Sequence, residues 1–281
     1  MKRSDKIKLN FTRNWNLPGQ ERLTNWFKPS EELKTQLRNG ITWLNTDDIA
    51  IYTTADNYIE WTILSTGTYE DEIGKLIKIS LTQGDNALDI GGNIGLQSLR
   101  MSARVGSTGK ILAFEPLEYL QEKFNRNVTL NKAGNIQLFP VALSDAESEA
   151  NFAINNTAWN QGTFSLANQY TDGETQNVKI KVADQIAEIQ ALDNLALIKI
   201  DVEGFEYQVL KGLKQTLQKH KPRIIFEYDS NYWINTGQNI TECCQYLKNL
   251  NYQLFEIHPS GCEIINNVKN IQSGNLFCIP E

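Results

Sequence analysis

Histidine and methionine are nearly absent, two of each in 281 residues, and the four cysteines include an adjacent pair, Cys243 and Cys244, but no CxxC. A zinc site or a disulfide framework has no pattern to rest on, so no metal is expected. The cysteines read as buried thiols in a reducing, cytoplasmic setting. No apolar run approaches the roughly 20 residues that span a bilayer. The opening "MKRSDKIKLNFTRNW" carries basic residues with no apolar stretch behind them, so neither an anchor nor a signal peptide is predicted. Positive charge is not in excess either: 27 basic against 33 acidic residues leave a net charge of -6. That is the wrong sign for a surface that neutralises phosphates, and nucleic acid is not an expected partner. The shortage of histidine bears on chemistry too. His220, after a helix, and His258, past the sixth strand, are both expected at the surface, which leaves carboxylates to do any proton transfer.

What the chain does have is 41% apolar residues, enough for one large core. Residues 1–83 read as an irregular extension or lid with one short helix near "SEELKTQLRNG". It carries Trp15, Trp26, Trp43 and Trp61 among polar residues, with Trp43 and Trp61 expected to pack on the core. "TYEDEIGKLIKISLTQGD" has helical spacing up to Gly84. From residue 84 to 281 strands and helices alternate. "NALDI", "KILAFEP", "IQLFPVALS", "ALIKIDVEG" and "PRIIFEYD" read as strands, and "FEYQVLKGLKQTLQKH" as one helix between the last two. "NFAINNTAWNQGTFSLANQYTDGETQNVKIKV" reads as a hairpin or loop insertion, and "YQLFEI" with "NLFCIP" as a closing hairpin. Such alternation predicts an α/β fold whose mostly parallel sheet is covered on both faces.

"ALDIGGNIGLQSLR" places "GGNIG" where a strand meets a helix N-terminus, a turn in which glycine admits a ligand's close approach. Dinucleotides and S-adenosylmethionine both use such turns. The dinucleotide pattern GxGxxG is not met, because Asn93 stands where its middle glycine belongs. Asp89, at the end of the strand, would repel a pyrophosphate and attract an ammonium and a sulfonium. Glu115 ends the next strand, placed to accept two ribose hydroxyls from either ligand. A second acidic group, Asp201, Glu203 and Glu206, ends the fourth core strand, and Glu227 ends the fifth. All lie at the rim where doubly wound sheets bind ligands. Helix capping is the competing reading for Glu203 and Glu206.

Six motifs then fall into one order: "GTYEDE" at 67–72, "GDNALDIGGNIG" at 84–95, "AFEP" at 113–116, "VALSD" at 141–145, "IKIDVEGFE" at 198–206 and "IIFEYD" at 224–229. In this the chain resembles the FkbM-type methyltransferases, class I S-adenosylmethionine-dependent enzymes, from about Tyr58 to its end. The resemblance implies a Rossmann-like, seven-stranded sheet with an antiparallel last strand. It implies S-adenosylmethionine as cofactor, with Tyr69, Asp89, Gly91, Gly92, Asn93 and Gly95 toward the methionine end and Asp201 beside them. Glu115 and Pro116 would serve the ribose, and the "VALS" run at 141–144, with Ala142 and Leu143 inside it, the adenine. Gly92 departs from the alanine common there. Asp201, Glu203 and Glu227 are the candidate bases for O-methylation of a hydroxyl on a sugar or natural product. The alternatives are methyl esterification of a short peptide carboxylate, as in the methyltransferase part of bifunctional cyanobactin enzymes with a prenyltransferase fused after it, a nicotinamide oxidoreductase, or a non-catalytic ligand-binding module.

Overall fold

A computed structural model describes residues 7, 9, 11–13, 28–37, 40–154 and 174–281. Trp15 and Trp26 lie outside the described residues. In chain order the elements are α1 (Glu31–Gln36), β1 (Gly40–Trp43), β2 (Ala50–Thr53), α2 (Tyr58–Thr66), α3 (Asp71–Ser80), β3 (Asn86–Ile90), α4 (Leu96–Val105), β4 (Ile111–Phe114), α5 (Glu118–Leu130), β5 (Ile136–Phe139), β6 (Ala142–Ser144), β7 (Ser148–Ile154) and β8 (Glu174–Val182). They continue with α6 (Ala187–Gln190), β9 (Leu195–Ile200), α7 (Glu206–Gly212), α8 (Lys214–His220), β10 (Arg223–Tyr228), α9 (Ser230–Asn235), α10 (Ile240–Asn249), β11 (Tyr252–His258), β12 (Gly261–Ile264) and β13 (Gly274–Pro280).

Apolar runs such as "ILAF" and "LALIKI" are buried on both faces, as parallel strands must be when helices cover each side. They assemble in the order β12-β11-β13-β10-β9-β3-β4-β5. The pairs from β10 through β9, β3 and β4 to β5 are parallel. β13 runs antiparallel between β10 and β11, so the last strand is antiparallel and the seven strands of a class I methyltransferase sheet are present. An eighth, β12, pairs antiparallel with β11 at the edge. Strand order reverses between β3 and β9, which puts the first and fourth core strands side by side.

The run "IQLFPVALS" is not one strand. Pro140, with no N–H for a ladder, separates β5 in the main sheet from β6. β6 instead pairs with β8 in a three-stranded sheet, β6-β8-β7, whose β7–β8 pair is the anticipated hairpin. "FEYQVLKGLKQTLQKH" likewise divides at Leu213, because β6 crosses against Gly212 so closely that a Cβ there would lie 2.2 Å from the Ser144 carbonyl oxygen.

The segment before residue 84 is more regular than its composition suggests. α3 ends at Ser80, not Gly84, and its Ile73, Leu76 and Ile77 pack with Ala87 and Leu197 of the sheet and Met101 of α4. β1 and β2 form an antiparallel hairpin laid on α5. The Asn127 side chain accepts from Tyr52 N at 2.8 Å, and Asn131 both accepts from Ala50 N at 2.9 Å and donates to Ala50 O at 2.7 Å. Trp61 is buried as expected. Trp43 is 72% exposed, against expectation, because strand alternation turns Thr42 inward to bond Thr53 and leaves Ile41 and Trp43 facing out. All four cysteines are free; three are buried and Cys262, on the edge strand β12, is exposed. Among the described residues no helix is long and apolar enough to cross a membrane.

Candidate functional site

The carboxyl ends of β3, β4, β9 and β10 open into one cavity of about 300 Å³. Its floor is the glycine turn. Gly91 has φ +82°, and a Cβ built on it would sit 1.8 Å from the Asp201 carbonyl oxygen. Only glycine lets the turn after β3 pass the end of β9 this closely. Asn93, at φ +48°, lines the cavity beside it, whereas Gly92 and Gly95 face the ring of Phe124 from α5 and do not.

One end of the cavity is apolar, with Phe114, Leu117, Leu120, Val141, Ala142, Leu143 and Phe152 on its walls and Pro116 beside them. Phe152 comes from the β7–β8 hairpin, tied down where Gln176 donates to Pro116 O at 2.8 Å and accepts from Glu118 N at 3.0 Å. Glu115 stands between this end and the glycine turn. One carboxylate oxygen accepts from Asn93 N at 2.9 Å and the other from Leu117 N at 3.0 Å. Burial pushes its pKa up to about 7 in spite of those donors.

The opposite end is acidic. Asp201, Glu203 and Glu227 line it together with Glu70, Tyr58, Tyr69 and Tyr232. Glu203 has φ +57° and is followed by Gly204 at φ +99°, a left-handed pair that folds the turn after β9 under Tyr232 of α9. One Glu203 carboxylate oxygen is buried there without a partner. Burial and the neighbouring Asp201 raise the Glu203 pKa to about 9. Glu227 is raised further above the carboxylate range, first by the charge of Asp201, then by burial and Glu203.

Asp89 and Lys199 lie beneath this end. Asp89 is fully buried; it accepts from the Ser98 hydroxyl, and its second oxygen has no hydrogen bond but lies 3.9 Å from Lys199 Nζ. Lys199 Nζ reaches Asp201 at 3.0 Å. Burial lowers the lysine's pKa, but Asp201, Asp89 and Glu70 outweigh it and hold the ammonium charged. Glu206 takes no part in the cavity lining: its carboxylate accepts from Val202 N and Gly204 N, so it braces the turn before α7 instead of capping the helix's own N–H groups. Neither His220 nor His258 lines the cavity, and among the described residues no group of His, Cys, Asp and Glu is placed to hold a metal ion.

The structure therefore gathers Tyr69, Gly91, Asn93, Glu115, Pro116, Ala142, Leu143, Asp201, Glu203 and Glu227 around one space, with Asp89 just below it and Gly92 and Gly95 behind it. Glu70, Tyr58, Tyr232, Phe152 and Lys199 were not singled out in the sequence. Lys199 alone had left a visible mark, a charge inside the apolar run "LIKI" of a strand buried on both faces.

Residues 89–254, which carry most of these groups, match the model of the methyltransferase FkbM domain. The chain belongs to the FkbM methyltransferase family. The family is one of methyltransferases, and the nicotinamide reading is set aside. Over the aligned stretches alone, curated relatives are about a quarter identical to this FkbM domain, and the chain spans only part of their length. AMB antimetabolite synthetase AmbE of Pseudomonas aeruginosa is 27% identical over 57% of this chain, a match covering 9% of AmbE. Methyltransferase 1 of Beauveria bassiana is 27% identical over 60% of this chain and 73% of its own length. Hexuronic acid methyltransferase AglP of Haloferax volcanii is 26% identical over 53% of this chain and 58% of its own.

Proposed function

We propose that this FkbM domain uses S-adenosylmethionine to methylate an oxygen of a sugar or other natural product, most simply a hydroxyl. The observation that carries the reading is the polarity of the cavity: an apolar end, a single acid in the middle, and a carboxylate end over a buried lysine. A nucleoside with a cationic amino-acid tail matches that sequence of environments. The apolar residues from Phe114 to Phe152 would take the adenine, Glu115 the ribose hydroxyls, and the turn at Gly91 with Asp89, Asp201 and Tyr69 the methionine portion. The unpaired oxygen of Asp89 supports this, since a buried carboxylate oxygen without a donor is costly until something fills the role. When bound, S-adenosylmethionine supplies a methyl group made electrophilic by its sulfonium.

The chain's own part is to orient the acceptor, exclude water and hold protons. Orientation is worth about 7–11 kcal/mol in favourable cases. Glu203 and Glu227 face the acceptor end with raised proton affinity, which suits them to take a proton from a hydroxyl once ionised. Relatives named for a hexuronic acid methyltransferase and an antimetabolite synthetase are in keeping with sugar and natural-product acceptors. A second reading, esterification of a short peptide's carboxylate, is favoured by the same two residues in another state. Protonated near neutral pH, they would donate hydrogen bonds to an anionic acceptor that needs no base.

Calorimetry with S-adenosylhomocysteine and NAD, followed by mass spectrometry for a gain of one methyl across sugars, macrolides and short peptides, tests the proposal. Binding of S-adenosylhomocysteine and not NAD, with one methyl added to a hydroxyl, is the result expected. A domain that binds neither, or binds without transferring to any acceptor, would overturn it.

A further inference from the structure

Arg100 has no place in the cavity, yet its side chain is 2% exposed, and an arginine is rarely buried so fully without a task. It sits on α4, one turn beyond the glycine turn. Its Nε donates to Asp47 at 2.8 Å. Its Nη1 donates to the carbonyl oxygens of Tyr69 at 2.8 Å and Glu70 at 3.1 Å, and Nη2 to Asp71 at 3.4 Å. The guanidinium lies flat over Gly74 of α3, where an added Cβ would come within 3.1 Å of Cζ.

The segment so held is under backbone strain. Glu70 has φ +50°, a left-handed conformation that a non-glycine residue keeps only when its surroundings impose it. Nor does its side chain cap the helix it precedes, because Gln97, also from α4, donates to its carboxylate at 2.8 Å and aims it toward the acidic end. Two residues of α4, three apart and therefore on one face, thus fix the backbone and the carboxylate of Glu70.

We infer that Arg100 is a positioning residue for the amino-acid end of the cofactor site, acting through Tyr69 and Glu70. This rests on the reading of the cavity given above. The guanidinium fork suits the task, since it meets two carbonyls and two carboxylates in different directions at once, which a lysine's point charge does not. Because α4 also begins at the glycine turn, the clamp makes the floor of the site and its far wall a single unit. The apolar end, built by β4, β6 and β7 with Leu117 and Leu120, takes no hydrogen bond from Arg100 or Gln97.

That separation gives the test. S-adenosylhomocysteine has the amino-acid arm; 5′-deoxy-5′-methylthioadenosine keeps the adenosine and lacks the arm. In Arg100→Gln, calorimetry should show affinity for S-adenosylhomocysteine falling about tenfold or more, the scale of lost charge-assisted bonds, with methylthioadenosine affinity unchanged. Gln97→Leu, which frees the Glu70 carboxylate and otherwise removes only a long 3.4 Å acceptor from Arg100 Nη1, should show the same selective loss to a smaller degree and serves if Arg100→Gln does not fold. Equal weakening of both ligands would mark Arg100 as general scaffolding and overturn the inference, as would no change in either. Wild-type protein that binds neither ligand would overturn the cofactor reading itself, and this inference with it.

Discussion

Replacing Glu115 by glutamine separates what its charge costs from what its hydrogen bonds contribute. Both carboxylate oxygens accept backbone N–H groups, from Asn93 and Leu117, and the residue is 4% exposed. The amide keeps one acceptor and turns an NH₂ toward the other N–H, which leaves a buried donor unsatisfied at about 1–3 kcal/mol. Against this stands the cost of ionising the buried acid. Its pKa rises from 4.5 to about 7 on folding, so between those values the unfolded chain gives up its proton while the folded protein keeps it. The unfolded state then binds fewer protons, and stability falls as pH rises through that window, by about 3 kcal/mol in all. At pH 5 the Glu115→Gln variant should therefore melt several degrees below the wild type. By pH 8 the wild type should have lost its advantage, so the two curves converge or cross. Thermal melting at constant ionic strength from pH 5 to 8 reads this directly. Glu70 and Glu206, raised in the same direction, add their own slopes to both proteins and cancel in the difference. Parallel curves over the whole range would refute the claim that this carboxyl is buried at an electrostatic cost.

Gly91→Ala should destabilise the domain by more than the roughly 1–2 kcal/mol of left-handed strain, since the new methyl also collides with the Asp201 carbonyl; differential scanning calorimetry checks it, and a normal melt would refute the close approach of the turn to β9. With a hydroxyl acceptor, Glu203→Gln or Glu227→Gln should cut single-turnover rates by on the order of 10²–10⁴, and the wild-type rate should climb with pH as these acids ionise. With a carboxylate acceptor both substitutions should cost little, and the rate should fall as the donors lose their protons. Trp43→Ser should leave the melting temperature within a degree or two, whereas Trp61→Ala should cost about 3–5 kcal/mol by opening a cavity in the core. Equal losses from the two tryptophan changes would contradict their opposite exposures.

The strands that make the floor of the site were legible because buried parallel strands read as short apolar runs, and each of these ended in an acid: Asp89 in "NALDI", Glu115 after "ILAF", Asp201 after "LIKI". The glycine turn was legible for the same local reason. What could not be read was whatever depends on two distant segments meeting. Lys199 acquires its meaning only when β9 pairs with β3 and brings Asp89 under its ammonium, and Glu70 only when α4 turns Gln97 toward it. Phe152 joins the apolar end because the β7–β8 hairpin folds over β6, a course decided by the break at Pro140. Trp43 was misjudged because four-residue strands carry too few positions for their alternation to announce which face is inward.

The two asparagines of α5 that grip β2 also shut a door. A two-stranded hairpin normally offers an unpaired outer edge on which another chain can add a strand, the usual seed of aggregation or unwanted assembly. Here Asn127 and Asn131 occupy the free groups of Ala50 and Tyr52 as a neighbouring strand would, so a helix serves as the third member of the ladder. The hairpin is sealed along one side without a further strand, and growth by strand addition is confined to the β1 side. Alanine at both asparagines would reopen that edge, and self-association rising with protein concentration would be its signature.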